Sequence, residues 1–457
     1  MRITLDIPLT LEEILNILDS SAYISTDLHT EIKGICTDTR ECKTGDIFIA
    51  LNGKNDSGEN YVNSAIEYGC FVICTSGINN VIKVDDTNEA LLKIAMLYKK
   101  KISPKYTVAV TGSVGKSTTT AFLAQILREK YKVHSTPGNF NNHIGVPITL
   151  LTMPKDTEAL VVEIGMNHKN EISRLSRCIN PDLAIITTIG TSHIGNLGSR
   201  ENIASAKLEI FDGMKIGNVL MPVNEPLLSG IMRGLYVGRN CKNADFSLYD
   251  NADGTYCMKS KSSSTDGIYF FDNREHYIDD LAFAISAAEI LNLSENEIIN
   301  GVKAITQSNL RQRFILLKDF TIFDDSYNAS FESIIADLKF IKSLNMPTGA
   351  FLGDILELGD NSKEIHEQLG RSIAQLKIDR LYLYGEYAEH TAYGALKEGM
   401  ESKKIYSNTN IAAPQISIEQ IRNNHANGEI ILFKASHGLR LDKIADFIKD
   451  EERICND

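Results

Sequence analysis

Apolar residues in this chain fall into short blocks, separated by stretches in which they return every third or fourth position. That is the rhythm of strands alternating with helices. Residues 107–110, 160–163, 183–189 and 219–222 are largely apolar runs, too short for buried helices. With helical spacing between them, they predict a parallel, doubly wound sheet over residues 104–312. Upstream, strand-like runs at 47–51 and 70–74 flank an amphipathic helix at 61–68. They predict a smaller α/β unit over residues 1–103, ended by a linker at Ile102-Ser103-Pro104. Downstream, runs at 320–324, 350–352, 380–384 and 429–433 restart the alternation. A third, Rossmann-like α/β unit over residues 313–457 is expected, its last helix burying Ile444, Phe447 and Ile448. Residues 241–278 differ: short, Tyr-rich polar runs with Asp253-Gly254 and Asp266-Gly267 turns predict antiparallel hairpins in or beside the main sheet. A helix is expected over 279–291. No internal repeat is evident.

Composition narrows this picture. A length of 457 residues suits about three ordinary domains. The opening Met1-Arg-Ile-Thr-Leu-Asp6 lacks the apolar core of a signal peptide, and no apolar run reaches bilayer length. A cytoplasmic protein with no membrane insertion is expected. The eight cysteines are scattered without a C-x-x-C pair, and Cys70 and Cys74 suit a core, so reduced thiols and no zinc are expected. A formal net charge of −12 argues against nucleic acid as a bulk partner. It leaves room for a phosphorylated small molecule, which backbone donors and a metal can bind.

The chemistry concentrates where strands end. The run Thr111-Gly112-Ser113-Val114-Gly115-Lys116-Ser117-Thr118 follows an apolar strand and opens a helix. Glycines there let backbone N–H groups close on a polyphosphate, Lys116 can reach its terminal phosphates, and the Ser117 hydroxyl can ligate Mg2+. Val110 stands where the common G-x-x-x-x-G-K-[ST] pattern has its first glycine, and an ordinary glycine turn before a helix is the plain alternative. Glu163 ends another apolar run and can share the same Mg2+, or simply be solvated in its loop. His193 follows a third strand; taken alone, a satisfied loop histidine is the simpler reading. Lys207 lies four residues after Ile203 and three before Ile210, on the apolar face of a helix capped by Ser199. Such a lysine usually snorkels; partly buried, it would lose its proton more easily and could add CO2 to become an anionic carbamate. Two further strand ends carry polar clusters, Asp324-Asp-Ser-Tyr-Asn-Ala-Ser330 and Lys434-Ala-Ser-His437. The first also reads as an Asx-rich turn.

In this order the pieces resemble the Mur ligase family over nearly the whole chain. Asp38-Thr39-Arg40 with Gly45-Asp-Ile-Phe-Ile-Ala-Leu51 resembles the family's uridine-nucleotide domain, and Gly138-Asn-Phe-Asn-Asn-His-Ile-Gly-Val-Pro147 its substrate loop. The shortened P-loop of the family accounts for Val110. Asp324–Ser330 and Gly353-Asp-Ile-Leu-Glu-Leu-Gly359 resemble the dipeptide-adding branch, and the Asp-Asn-Pro-Arg string of the diaminopimelate- or lysine-adding branch is absent. The resemblance implies an ATP-dependent amide ligase, a monomer, with UDP-N-acetylmuramoyl-tripeptide and D-alanyl-D-alanine as substrates. It also implies ATP contacts from Asp280, Arg313 and Asp325, and substrate contacts from Thr39, Arg40, Asn139, Asn142, Tyr327 and Asn328. Two Mg2+ sites are implied, one on Ser117 and Glu163, the other on His193 and carbamylated Lys207. A sibling ligase with another amine, and a non-catalytic nucleotide-binding homologue, are the alternatives. The chain departs from the family's strings at four places. His193-Ile-Gly195 stands for His-Leu-Glu, leaving no acid beside the histidine. Asp280 replaces an adenine-contacting Asn, Ser330-Phe331 replaces Asn-Pro, and Lys434-Ala-Ser-His437 replaces Lys-Gly-Ser-Arg. Arg311, two residues from Arg313, is a second choice for the arginine at the junction.

Overall fold

The computed structural model describes residues 1–19, 27–53, 56–77, 81–252, 255–261, 267–269, 277–305 and 312–454. The Asp253-Gly254 turn, Asp266 and Arg311 lie outside the described residues. Among those described, the strands form three sheets of five, nine and six strands.

In the first sheet Arg2–Thr10 pairs antiparallel with Glu31–Cys36, and Ile47–Ile49, Phe71–Cys74 and Ile82–Lys83 follow in parallel. In the second, the strand Tyr106–Thr111 lies between Ala159–Glu163 and Leu183–Ile186, all parallel. Val133–Ser135 edges one side, and Val219–Pro222, Gly234–Arg239 and Phe246–Asp250 extend the other in parallel. Tyr256–Ser260 and Gly267–Tyr269 then add antiparallel, so the expected hairpin strands continue the main sheet at its edge. The third sheet runs Arg313–Leu316, Phe320–Asp324, Glu429–Lys434, Thr348–Gly353, Arg380–Tyr384 and Ile405–Asn408, antiparallel only in its first pair.

Some expectations shift. The run 183–189 leaves the ladder after Ile186 because its next residues bond the glycine loop instead: Ser113 N–H donates to Thr188 O (3.0 Å) and Val114 N–H to Thr188 Oγ1 (2.9 Å). The helix bearing Lys207 stops at Leu208 and tightens into a 3-10 turn, Glu209–Gly213. Phe447, expected in the core, is 47% exposed; Leu441, Ile444, Ala445 and Ile448 hold the buried stripe and leave Phe447 at its margin.

Several elements escape the sequence reading, among them the strand Arg2–Thr10 and the helix Thr87–Ile102. The helix buries Leu91, Ile94, Ala95 and Tyr98. It belongs to one apolar cluster running from Ile3, Leu9 and Ile32 in the first sheet to Leu150, Ile172 and Ile203 in the second unit. The third sheet carries separate clusters on its two faces, around Phe323 and Leu369 and around Phe351 and Phe433. Ile194, in the short helix Ile194–Leu197, packs against both the first cluster and the Phe323 cluster.

Candidate active site

Consecutive strands leave Tyr106–Thr111 in opposite directions, so a crevice opens at its carboxyl end, where ligands bind in such sheets. The glycine loop fills that end. Gly115 has φ +86°, and a Cβ there would lie 2.1 Å from Asp280 Oδ1, so backbone conformation and space both require glycine. Lys116 starts the helix Lys116–Leu127, and its Nζ donates to Gly112 O (2.8 Å) and Ser113 O (3.3 Å). The ammonium is thereby held over the loop, where a phosphate would take over these bonds.

Glu163 ends the adjacent strand opposite Val110 and is buried. Ser117 Oγ donates to Glu163 Oε2 (2.5 Å), Asn141 Nδ2 donates to Glu163 Oε1 (2.7 Å), and Thr136 Oγ1 accepts from Glu163 N–H (2.9 Å). A hydroxyl and a carboxylate in contact beside a phosphate-cradling loop are the hard oxygen donors Mg2+ takes. Among the described residues no ready-made cluster of three or more metal-ligating side chains exists. Mg2+ bound with nucleotide needs none, because phosphates and water complete its shell.

The third sheet faces this crevice with its own carboxyl ends. The cleft between them, about 440 Å³, is lined by Ser113–Thr118, Asn139, Asn142, Glu163, His193 and Asp280 from one side. Gln312, Asp325, Tyr327, Asn328, Lys434 and His437 line the other. Five expected residues are not on its walls. Thr39 and Arg40 sit in the first unit, with Arg40 paired to Asp38. Gly112 is packed against Thr187, whose Oγ1 would lie 1.9 Å from a Cβ there. Arg313 Nη2 binds Asp324 Oδ2 (2.5 Å). Lys207 is buried behind the site.

No hydrogen bond or ion pair joins the Lys207 ammonium to another described residue, although its carbonyl accepts from Glu209 N–H in the helix. Burial, with nearby Lys116 adding repulsion, holds its ammonium well below the ordinary lysine range. A neutral amine is the form that adds CO2, so the residue fits a carbamate. Asp280 shifts the other way. Burial pushes its carboxyl well above the usual range, against the hydrogen bond that Thr119 Oγ1 donates to its Oδ1 (3.0 Å).

Sequence reasoning gave no role to several residues in and beside the cleft, Lys434 among them although its strand end stood out as a polar cluster. Lys434 ends its strand inside the cleft, in contact with Asp325 and 2.9 Å from Asp337 Oδ2. Burial opposes its charge, but the two carboxylates outweigh it and raise its pKa. Gln312 Nε2 donates to Asp337 Oδ1 (2.7 Å). Asp337 had a signal: it stands between Ile334, Leu338 and Ile341 on the apolar face of the helix Phe331–Ser343. The acid absent at Gly195 is supplied from the third unit, where Glu357 Oε2 accepts from His193 Nδ1–H (2.5 Å). Local spacing carries no trace of that contact.

Comparison with known proteins agrees with this architecture. Residues 110–285 match the family described as Mur ligase middle domain, and residues 311–437 the one described as Mur ligase, glutamate ligase domain. The UDP-N-acetylmuramoyl-tripeptide–D-alanyl-D-alanine ligase of Bacillus subtilis is 36% identical, over 91% of this chain and 93% of its own. That of Rickettsia prowazekii is 30% identical, over 90% and 93%. MurF from Acinetobacter baumannii superposes with a TM-score of 0.87 at 27% identity, covering 98% of this chain and 100% of its own. MurF ligase from Thermotoga maritima, solved in complex with ADP, gives 0.78 at 25% identity, covering 92% and 97%.

Proposed function

The chain belongs to the Mur ligase family, and we propose on that premise that it joins D-alanyl-D-alanine to UDP-N-acetylmuramoyl-tripeptide, driven by ATP, in peptidoglycan precursor synthesis. The supporting observation is the cleft itself. It sets a P-loop and Glu163 of one unit against Asp325, Tyr327 and Asn328 of another, the arrangement needed to bring a nucleotide and two further substrates together.

In this reading the tripeptide's terminal carboxylate attacks the γ-phosphate, giving an acyl phosphate and ADP. The dipeptide amine then attacks the acyl carbon and phosphate leaves. Charge neutralisation and alignment do most of the work, since little covalent chemistry falls to the protein. Loop N–H groups and Lys116 hold the phosphates. Asp280, Arg313 and Asp325 contact ATP, for which Arg313 must first leave Asp324. Ser117 and Glu163 would hold one Mg2+, and His193 with carbamylated Lys207 a second; such ions supply positive charge to the transferring phosphoryl group. Asn139, Asn142, Tyr327 and Asn328 orient acceptor and dipeptide, and Thr39 and Arg40 of residues 1–103 meet the uridine nucleotide. Residues 104–312 carry ATP, and residues 313–457 complete the site by docking. Every proposed residue comes from one chain, so a monomer suffices. No described helix is long and apolar enough to cross a membrane, in keeping with work on cytoplasmic precursors.

The test is ADP release coupled to product mass, with UDP-muramoyl-tripeptides and a panel of amino acids and dipeptides. Release requiring both acceptor and D-alanyl-D-alanine is expected. Release with a different amine would identify a sibling ligase, and none with any combination a non-catalytic homologue.

A further inference from the structure

Gly195 and Glu357 come from different units, yet they answer each other. Glu357 lies in the loop after the strand Thr348–Gly353, with its backbone in the left-handed region at φ +64°. Its carbonyl accepts from Gly195 N–H (3.1 Å), while its side-chain Oε2 accepts from His193 Nδ1–H (2.5 Å). Backbone and carboxylate of one residue thus grip the same turn. A Cβ on Gly195 would stand 2.4 Å from Gly359 N and 2.6 Å from Leu358 C, both backbone atoms that cannot swing aside. The glycine is what lets the Glu357 loop come this close. A second contact joins the same surfaces without touching the histidine: Glu332 Oε1 accepts from Thr191 N–H (2.8 Å).

We infer that Glu357 is a positioning residue for His193, and that the cation held by His193 is bound tightly only when the third unit is docked. The inference rests on the two-cation reading above. The chemistry is that of a carboxylate behind a metal-binding imidazole. A proton held on Nδ1 leaves the Nε2 lone pair free for a cation, and the carboxylate fixes the tautomer and orientation of the ring. Here the carboxylate arrives from another unit. Docking therefore prepares the histidine, and by linkage a cation on the histidine favours docking to the same extent. The acid lost at Gly195 would have been present in every arrangement of the units; Glu357 is present only in the docked one.

The experiment titrates Mn2+ into full-length protein holding a non-hydrolysable ATP analogue and UDP-muramoyl-tripeptide, with free Mn2+ followed by electron paramagnetic resonance. Wild type should bind two Mn2+. Glu357→Ala should weaken the second by about 10–100-fold and leave the first unchanged. Glu357→Asp, which keeps the charge at shorter reach, should recover part of that loss. Glu332→Ala, which weakens docking alone, should lose less than Glu357→Ala. An unchanged second site in Glu357→Ala overturns the inference, and so does an equal loss in Glu332→Ala. A single Mn2+ in wild type overturns it together with the two-cation reading, while ADP release dependent on both substrates would leave the ligase assignment standing. Circular dichroism of each variant separates these outcomes from misfolding.

Discussion

Burial without a partner decides what Lys207 can be. An ammonium there is desolvated and repelled by Lys116, so the free amine is favoured and CO2 can cap it. With 13C-bicarbonate, a carbamate carbon resonance is expected in wild type and absent in Lys207→Ala. Activity of Lys207→Ala should fall by at least about 100-fold, the scale of losing one charge-stabilising group, and short carboxylates should partly restore it. Near-normal turnover would remove the carbamate from the scheme. At Asp280 the sign is opposite. Its folded pKa lies well above the ordinary 3.8, so the folded state holds this proton more tightly than the unfolded one. The associated stability is intact below the unfolded value and is lost as pH rises through the folded one. Asp280→Asn keeps an oxygen for Thr119 and has no charge to bury. It should melt about 2–4 °C above wild type at pH 8, the shift that about 1 kcal/mol gives in a domain of 150–250 residues, with a smaller gap at pH 5. An equal gap at both pH values would falsify the assignment of that shift to ionisation. Gly195→Ala tests sterics instead. The methyl group cannot fit against Gly359, so the third unit should sit displaced, giving a larger radius of gyration by small-angle scattering with both ligands bound. Turnover should drop by about 100-fold, as a misplacement near 1 Å does, while ATP affinity should fall less, since the P-loop is untouched.

The helix Thr87–Ile102 shows what a sequence states and what it withholds. Asp86 caps it through Asn88 and Glu89 N–H groups, and Leu91, Ile94, Ala95 and Tyr98 repeat at helical spacing, so the signal for it was present although the sequence reading passed over it. Its destination was not legible, because spacing says which face is apolar and never what covers it. Tyr98 records the answer: its hydroxyl accepts from Asp6 N–H (3.0 Å) and donates to Met153 O (3.1 Å), joining the first strand to the second unit. Tyr98→Phe leaves both groups unpaired and should cost about 1–3 kcal/mol in urea unfolding. The site divides along the same line. Gly115, Lys116, Ser117, Glu163 and Asp325 were readable because each follows a strand, and parallel packing gathers strand ends. Glu357 was not, because the meeting of two units selects it; Gln312 was not, because its partner lies on another element; and Asp337 showed only as an acid on an apolar helix face. Arg313 stands off the site in this arrangement for a related reason. Its strand is antiparallel at a sheet edge and pairs its guanidinium with Asp324 of the neighbouring strand, off the cleft wall.

At the scale of the molecule, the apolar interior follows a different division from the chain's three sheets. One cluster spans the first and second, whereas the contacts seen among the described residues between the third and the rest are Ile194, two carboxylate contacts and a backbone bond. Calorimetry should therefore resolve two transitions, the third unit separate from a single block formed by the other two. A chain of residues 1–312 should fold, and one of residues 104–312 should not, as read by circular dichroism and amide dispersion in NMR. Independent melting of residues 1–103 would contradict the shared interior. That interior also limits how a protein of this plan can be rebuilt, by evolution or by hand. A new recognition head cannot be spliced on at residue 103 as a cassette. The incoming piece must bring a matching face for Leu150 and Ile172, so changes in what the head recognises are easier to reach by altering its loops than by exchanging it.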